Sequence, residues 1–424
     1  MMQLNRRYFL TMLGGFPLVP SILSAAPLRG KSPRSLILLW MDGGMSHIDT
    51  LDAKPEAPPD IRGDLGTLRA SVDGVFVSEH LPRIGAMMKD CALVRSITSP
   101  EGNHDRGSHF MLTGRKPSPV LQYPSLGSVL GTLRPESITE SSNGLPPYVA
   151  IPDAHPYARQ GFLPVANAPF ELAGDPSKPD FRVKNLLPIA GVERPLRLLD
   201  RVDALDAGPQ SESEAARDAF LAQGRYLSLN SDVRALFNLG DEKQEVRNRY
   251  GRHFFGQSCL LARRLVQGGV RTVMVRYTGW DHHSAIANAM TYGFPPKLPA
   301  LDEAISALHE DLERRGLLDD VLVVLASEFG RTPRINPGGG RDHWSRASSV
   351  LLFGAGIQKG TVHGTTDARG EEPASDPVSP QDLYATMMTA LGADVSKVLY
   401  TPDGRPIRVA PEEARVIREI LKKA

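Results

Sequence analysis

Cysteine is scarce: Cys91 and Cys259 are the only two in 424 residues. Two thiols exclude a disulfide scaffold and a four-cysteine zinc site. Whether they pair depends on a distance that chain spacing does not set. A surplus of either charge is also missing, since 49 Lys+Arg against 48 Asp+Glu leave a formal charge of +1. That balance argues against a global binder of nucleic acid or of an anionic membrane. Beyond residue 26 no apolar run approaches the roughly 20 residues of a membrane-spanning helix. The mature chain is therefore expected to be soluble, with no integral membrane segment. Internal repeats and low-complexity tracts are absent too. What remains is ordinary globular material: 41% hydrophobic and 23% charged residues can build a sizeable core. The 39 glycines and 11 histidines supply tight turns and metal-type ligands.

The N-terminus reads Asn5-Arg6-Arg7-Tyr8-Phe9-Leu10-Thr11. An apolar stretch follows, broken by Gly14, Gly15, Pro17 and Pro20, and ends at Leu23-Ser24-Ala25-Ala26. Paired arginines, a modest apolar centre and small terminal residues describe an export signal over 1–26. The Arg-Arg-x-Phe-Leu order resembles the twin-arginine (Tat) signal, which predicts a periplasmic or extracellular protein.

The remainder, 33–424, reads as a single α/β domain. Ser35–Met41 is a continuous apolar run that ends at Asp42-Gly43-Gly44. Such a run is a strand buried on both faces, as in a parallel sheet. Cys91–Ile97, 270–277, Val321–Ala326 and 348–353 read the same way. Helices are expected over 106–112, 212–237, 242–267, 298–315 and 380–391 from apolar residues at threes and fours. Strands alternating with helices give a mostly parallel sheet. The stretch 133–210, rich in proline and glycine, reads as a cap of loops and short strands.

Open parallel sheets bind ligands beyond the carboxyl ends of their strands. Here those ends deliver Asp42, the turn carrying His104, Asp281-His282-His283, and Glu328, with Asp342-His343 following on a glycine-rich loop. Carboxylate and imidazole together suit zinc, manganese or iron. Each has a plainer alternative: Asp42-Gly43-Gly44 as a turn, Glu328 as a helix cap, Asp342 as a loop ion pair. Asp281 and His283 lie two apart and can face one centre, with His282 turned away. His80, His155, His253, His309 and His363 sit in ordinary settings and read as surface or packing residues, and His109 as structural.

The stretches Trp40-Met41-Asp42-Gly43-Gly44-Met45-Ser46-His47, Asn103-His104-Asp105-Arg106, Leu112-Thr113-Gly114-Arg115, Gly279-Trp280-Asp281-His282-His283, Ser327-Glu328-Phe329-Gly330-Arg331 and Gly340-Arg341-Asp342-His343-Trp344 together resemble the alkaline phosphatase superfamily. The likeness is to its exported, sulfatase-like branch of unknown function. It implies an α/β/α sandwich, one or two divalent ions (zinc, manganese or calcium), and a phosphate or sulfate ester as substrate. By that resemblance Asp42 is the first-strand metal aspartate. Asp281, His283 and His343 share one metal position, and Glu328 serves the second. His104 falls where sulfatases carry the cysteine that becomes formylglycine. Neither cysteine of this chain lies there, which excludes formylglycine chemistry, and no Ser or Thr takes its place. Phe329 replaces a histidine of the second metal position.

The expected function is thus a periplasmic, metal-dependent hydrolase of phosphate or sulfate esters. A metal-bound water or His104 would attack, and Arg106 or Arg331 would hold the anion. The alternative is a non-catalytic, metal-stabilised binding protein for an anionic glycan or a protein partner. An isomerase or transferase acting on phosphorylated substrates is a third option.

Overall fold

The computed structural model describes residues 35–133, 145–183, 227, 230–288 and 293–423. The expected export signal over 1–26, much of the 133–210 stretch and most of the helix expected over 212–237 lie outside the described residues. Pro33–Ala424 forms one unit of its own. Its centre is an eight-stranded sheet. In chain order the strands are β1 (Ser35–Met41), β2 (Cys91–Ile97), β3 (Tyr148–Ile151), β4 (Phe170–Glu171), β5 (Thr272–Tyr277), β6 (Val321–Ala326), β7 (Ser348–Gly354) and β8 (Thr361–His363). Across the sheet they run β8-β2-β7-β6-β1-β5-β3-β4. All are parallel except β7, which pairs antiparallel with β2 and β6.

The apolar runs dictate this arrangement. In β1, Ile37, Leu39 and Met41 enter one core while Leu36, Leu38 and Trp40 enter the other. A strand buried on both faces has no polar face to alternate with. Helices α3 (Phe254–Gln267) and α4 (Phe294–Arg314) cover the first core. Helices α1 (His104–Thr113), α2 (Leu126–Thr132) and α5 (Pro380–Ala390) cover the second. The result is the expected α/β/α sandwich. Each fully buried Leu, Ile or Val contributes about 1.5–3 kcal/mol, and every residue of β6 is buried.

Two expectations need correction, and the open question of the cysteines is answered. The helix over 242–267 is interrupted: Gln244–Arg249 ends, Gly251 turns with φ +83°, and His253 then caps α3 by accepting from Gly256 N. The described part of the 133–210 stretch, 145–183, does more than cap. It supplies β3 and β4, which extend the central sheet beside β5. Cys91 and Cys259 are both free and buried, and burial pushes both thiols up. No helix among the described residues is long and apolar enough to cross a membrane.

His309, on α4, is 5% exposed and lies edge-on to Phe353 at 5.4 Å. Burial holds its pKa below the ordinary value. The unfolded chain takes up that proton near pH 6.5 and the folded chain does not, so stability is full above about pH 6.5 and falls below it. The melting temperature should drop between about pH 7 and pH 5.5, and less steeply in His309→Leu. Parallel pH profiles for the two proteins would refute this.

Candidate metal centre

Since β1, β2, β5 and β6 are parallel, their carboxyl ends share one edge of the sheet. Asn103 caps α1 there, accepting from Asp105 N (3.0 Å) and Arg106 N (3.3 Å), and so sets His104 at the helix's first position. Gly43 allows the loops after β1 and β5 to touch. Its φ is +119°, and a Cβ there would come within 2.5 Å of Asp281 N. Gly340 does the same for the glycine-rich loop, where a Cβ would meet His283 C at 2.1 Å.

Asp281 Oδ1 is the meeting point. His283 Nε2 lies 2.9 Å from it, His343 Nε2 3.2 Å and His104 Nε2 3.4 Å. The Nε2 atoms of His283 and His343 are 3.1 Å apart. The ring nitrogens on the far side are all anchored outward. His104 Nδ1 donates to Glu328 Oε1 (2.6 Å), His283 Nδ1 to Asp342 Oδ1 (2.7 Å), and His343 Nδ1 to the carbonyl of Gly102 (3.2 Å). With Nδ1 carrying the proton, each neutral ring turns an Nε2 lone pair toward the carboxylate. Lone pairs facing an anionic oxygen repel unless a cation lies among them. His104 Nε2 is buried with no hydrogen-bond partner among the described residues. A tetrahedral zinc with bonds of about 2.0–2.1 Å would separate its ligand atoms by roughly 3.3 Å. The donor set therefore fits a divalent ion, with His104, Asp281 and His343 as the group whose ligand atoms all lie within 4.8 Å of one another, and His283 beside Asp281 and His343.

Outer groups set the electrostatics. Glu328 is buried; its Oε1 also accepts from Gly43 N (3.0 Å) and its Oε2 from the Ser327 hydroxyl (2.9 Å). The Glu328 hydrogen bond raises the pKa of His104 against the opposing effect of burial. Burial, followed by the charges of His104 and Arg331, lowers that of His343. Burial raises Asp281, but the hydrogen bond and charge of Arg331 outweigh it and hold the carboxyl at about 2. Arg331 Nη2 reaches Asp281 Oδ1 at 2.5 Å.

Several expected site residues stand elsewhere. Glu328 and Asp342 orient His104 and His283 and are outer partners of the centre. Asp42 is drawn away by a guanidinium, with Arg276 Nε 2.7 Å and Nη2 2.6 Å from its Oδ2. Arg106 is exposed and pairs with Glu101 at 2.8 Å. Arg331 is fully buried and spends its donors on Asp281 and the carbonyls of Gly43, Gly44 and Arg341. Neither arginine is placed to clamp an ester. His282 is turned away, packed between Trp280 and Phe294. His155 and Arg276 belong to the neighbourhood but were not singled out from sequence. A charge at the end of an otherwise apolar strand was the available signal for Arg276.

The fold and the cluster define the class: an α/β/α sandwich with a mostly parallel sheet and a His–Asp cluster at the carboxyl edge of that sheet. Within it the chain is a member of the family described as protein of unknown function DUF1501, whose sequence profile matches residues 33–421. No curated protein matches the sequence. Similar solved structures include a protein in the alkaline phosphatase superfamily from Vibrio parahaemolyticus (11% identity, 86% of this chain and 67% of that chain, TM-score 0.37). Another is the phosphonate monoester hydrolase SpPMH from Silicibacter pomeroyi (12%, 91% and 76%, TM-score 0.36). A third is Ps i-CgsB in complex with k-i-k-neocarrahexaose (13%, 86% and 73%, TM-score 0.39).

Two outcomes follow from this geometry. Asp342 is 54% exposed at its side chain, so Asp342→Ala should fold normally. Losing the orienting carboxylate should weaken metal affinity about 10- to 100-fold, read by competition with a chromophoric chelator. Arg331→Met would leave buried acceptors unpaired and should cost about 3–5 kcal/mol in denaturant unfolding. An Arg331→Met protein as stable as the parent would show that the guanidinium is not needed to hold the loops.

Proposed function

We propose that this chain is a metal-dependent hydrolase of phosphate or sulfate esters that works outside the cytoplasm. The observation that carries this reading is the trio of Nε2 atoms turned on Asp281, each ring anchored outward through Nδ1. When bound, a divalent ion supplies Lewis acidity toward an ester oxygen and makes water a stronger nucleophile. The chain's own residues do the rest. Glu328 and Asp342 fix the orientation and tautomer of His104 and His283. Arg331 keeps Asp281 ionised and in place. An imidazole-rich set favours zinc or manganese over calcium, which prefers oxygen ligands. His283 and Asp281 are each 46% exposed at the side chain, so a large ester has access from solvent.

Export by the Tat route is part of the proposal and is supported by Arg6-Arg7 with Phe9-Leu10. So is a role for the loop-rich 133–210 stretch in selecting substrates. One observation favours a second reading, a metal-stabilised binding protein for an anionic glycan or protein partner. No Ser, Thr or Cys stands where the resembled enzymes keep their nucleophile.

The deciding experiment purifies the chain without chelator and measures its metal. It then offers aryl phosphate mono- and diesters and aryl sulfate to the loaded protein. Turnover that falls at least about 100-fold in Asp281→Ala/His283→Ala supports the hydrolase. Bound metal without turnover, together with saturable binding of a sulfated glycan, moves the assignment to the binding protein. No metal after incubation with zinc and manganese ends both.

A further inference from the structure

Next to the His–Asp cluster lies a second cation position, and the chain fills it with its own side chain. Arg276 of β5 places Nε 2.7 Å and Nη2 2.6 Å from Asp42 Oδ2, and Nη1 2.8 Å from Asp153 Oδ1. The guanidinium bridges two carboxylates that would otherwise repel. These are charge-assisted bonds in the fork geometry that arginine provides. Burial opposes its charge, but the hydrogen bonds and charges of Asp153 and Asp42 outweigh that and hold it protonated.

Among the described residues, the neighbouring imidazole and carboxylate that the resemblance would enlist are already engaged. His155 is 5% exposed with Nε2 3.7 Å from Asp42 Oδ1, yet its Nδ1 accepts from Tyr157 N at 3.3 Å. Its proton therefore sits on Nε2 and points at the carboxylate, so the ring offers no lone pair. Both oxygens of Glu328 are committed, to His104 and Gly43 N on one side and to Ser327 on the other. Phe329 brings no ligand atom; its ring packs 5.1 Å from His104 and 5.0 Å from His343. Of the one or two divalent ions that the sequence resemblance implies, a second does not fit these residues.

We propose that Arg276 is the resident cation of the Asp42 position, so that the centre holds a single divalent ion beside a fixed guanidinium. This rests on reading His104, Asp281, His283 and His343 as the metal site. The test is metal content per full-length chain, by plasma mass spectrometry after saturation with zinc or manganese and removal of the excess. About one equivalent is expected, lost in Asp281→Asn and kept in Asp42→Asn with a Kd within roughly threefold of the parent. About two equivalents in the parent would overturn the inference while leaving the His–Asp site standing. Loss of metal in an Asp42→Asn protein that still melts cooperatively would also overturn it, since Asp42 would then be a ligand. No metal in the parent would bring down the His–Asp reading and this inference with it. The parent's stoichiometry decides the matter even where Asp42→Asn fails to fold.

Discussion

One buried guanidinium holds the functional edge together. Arg331 donates from Nε to the carbonyl of Gly44 (2.9 Å), from Nη1 to that of Arg341 (3.0 Å), and from Nη2 to that of Gly43 and to Asp281. Three loops, after β1, after β5 and within the glycine-rich segment, thereby share one donor group. Arg331 is itself fully buried, and buried acceptors left without a donor cost free energy. Arg341 repeats the device one layer deeper. It grips Asp49 through Nε (2.5 Å) and Nη2 (2.9 Å) and the carbonyls of Thr332, Pro333 and Ile61. The cluster of imidazoles sits on loops, yet those loops are tied as firmly as strands. That is what lets three rings from distant parts of the chain keep their Nε2 atoms within 3.4 Å of one oxygen.

Much of this was legible in the sequence because burial on both faces leaves a plain mark. β1 and β6 are apolar runs with the bounds expected of them, β2 matches its expected bounds despite Arg95 and Ser96, and each is followed by glycine or a polar turn. Asp281 and His283 were legible because an i, i+2 pair after a strand points to one side. β3 and β4 were harder to read, being four and two residues long among prolines. What spacing does not carry is depth. Glu328 and His104 are both ligand-type residues at the same edge, and either can face an ion. Glu328 is buried behind Gly43 and Ser327, and it therefore ends up behind the imidazole. Arg331 reads as an anion clamp in sequence and proves to be a structural tie, since its surroundings are backbone carbonyls drawn from other loops. Asp42 reads as a ligand, but its partner Arg276 lies 234 residues away on an adjacent strand.

The charge balance orders events at the site. Asp281, Glu328 and Asp342 gather around the imidazoles, and among the described residues Arg331 is the guanidinium in contact with the cluster. Carboxylates outnumber guanidinium, so this edge repels an anionic ester and attracts a divalent ion. On the proposed reading, an ester would approach only after a cation has reversed the local field. The Asp42 side differs, because Arg276 already offsets one of the two charges of Asp42 and Asp153. The two halves of the edge thus differ in kind. On the proposed reading, one takes up a cation from solution and the other carries its own in Arg276. A centre made this way keeps the charge compensation of two cations while depending on solution for only one, so its occupancy responds to metal supply at a single position.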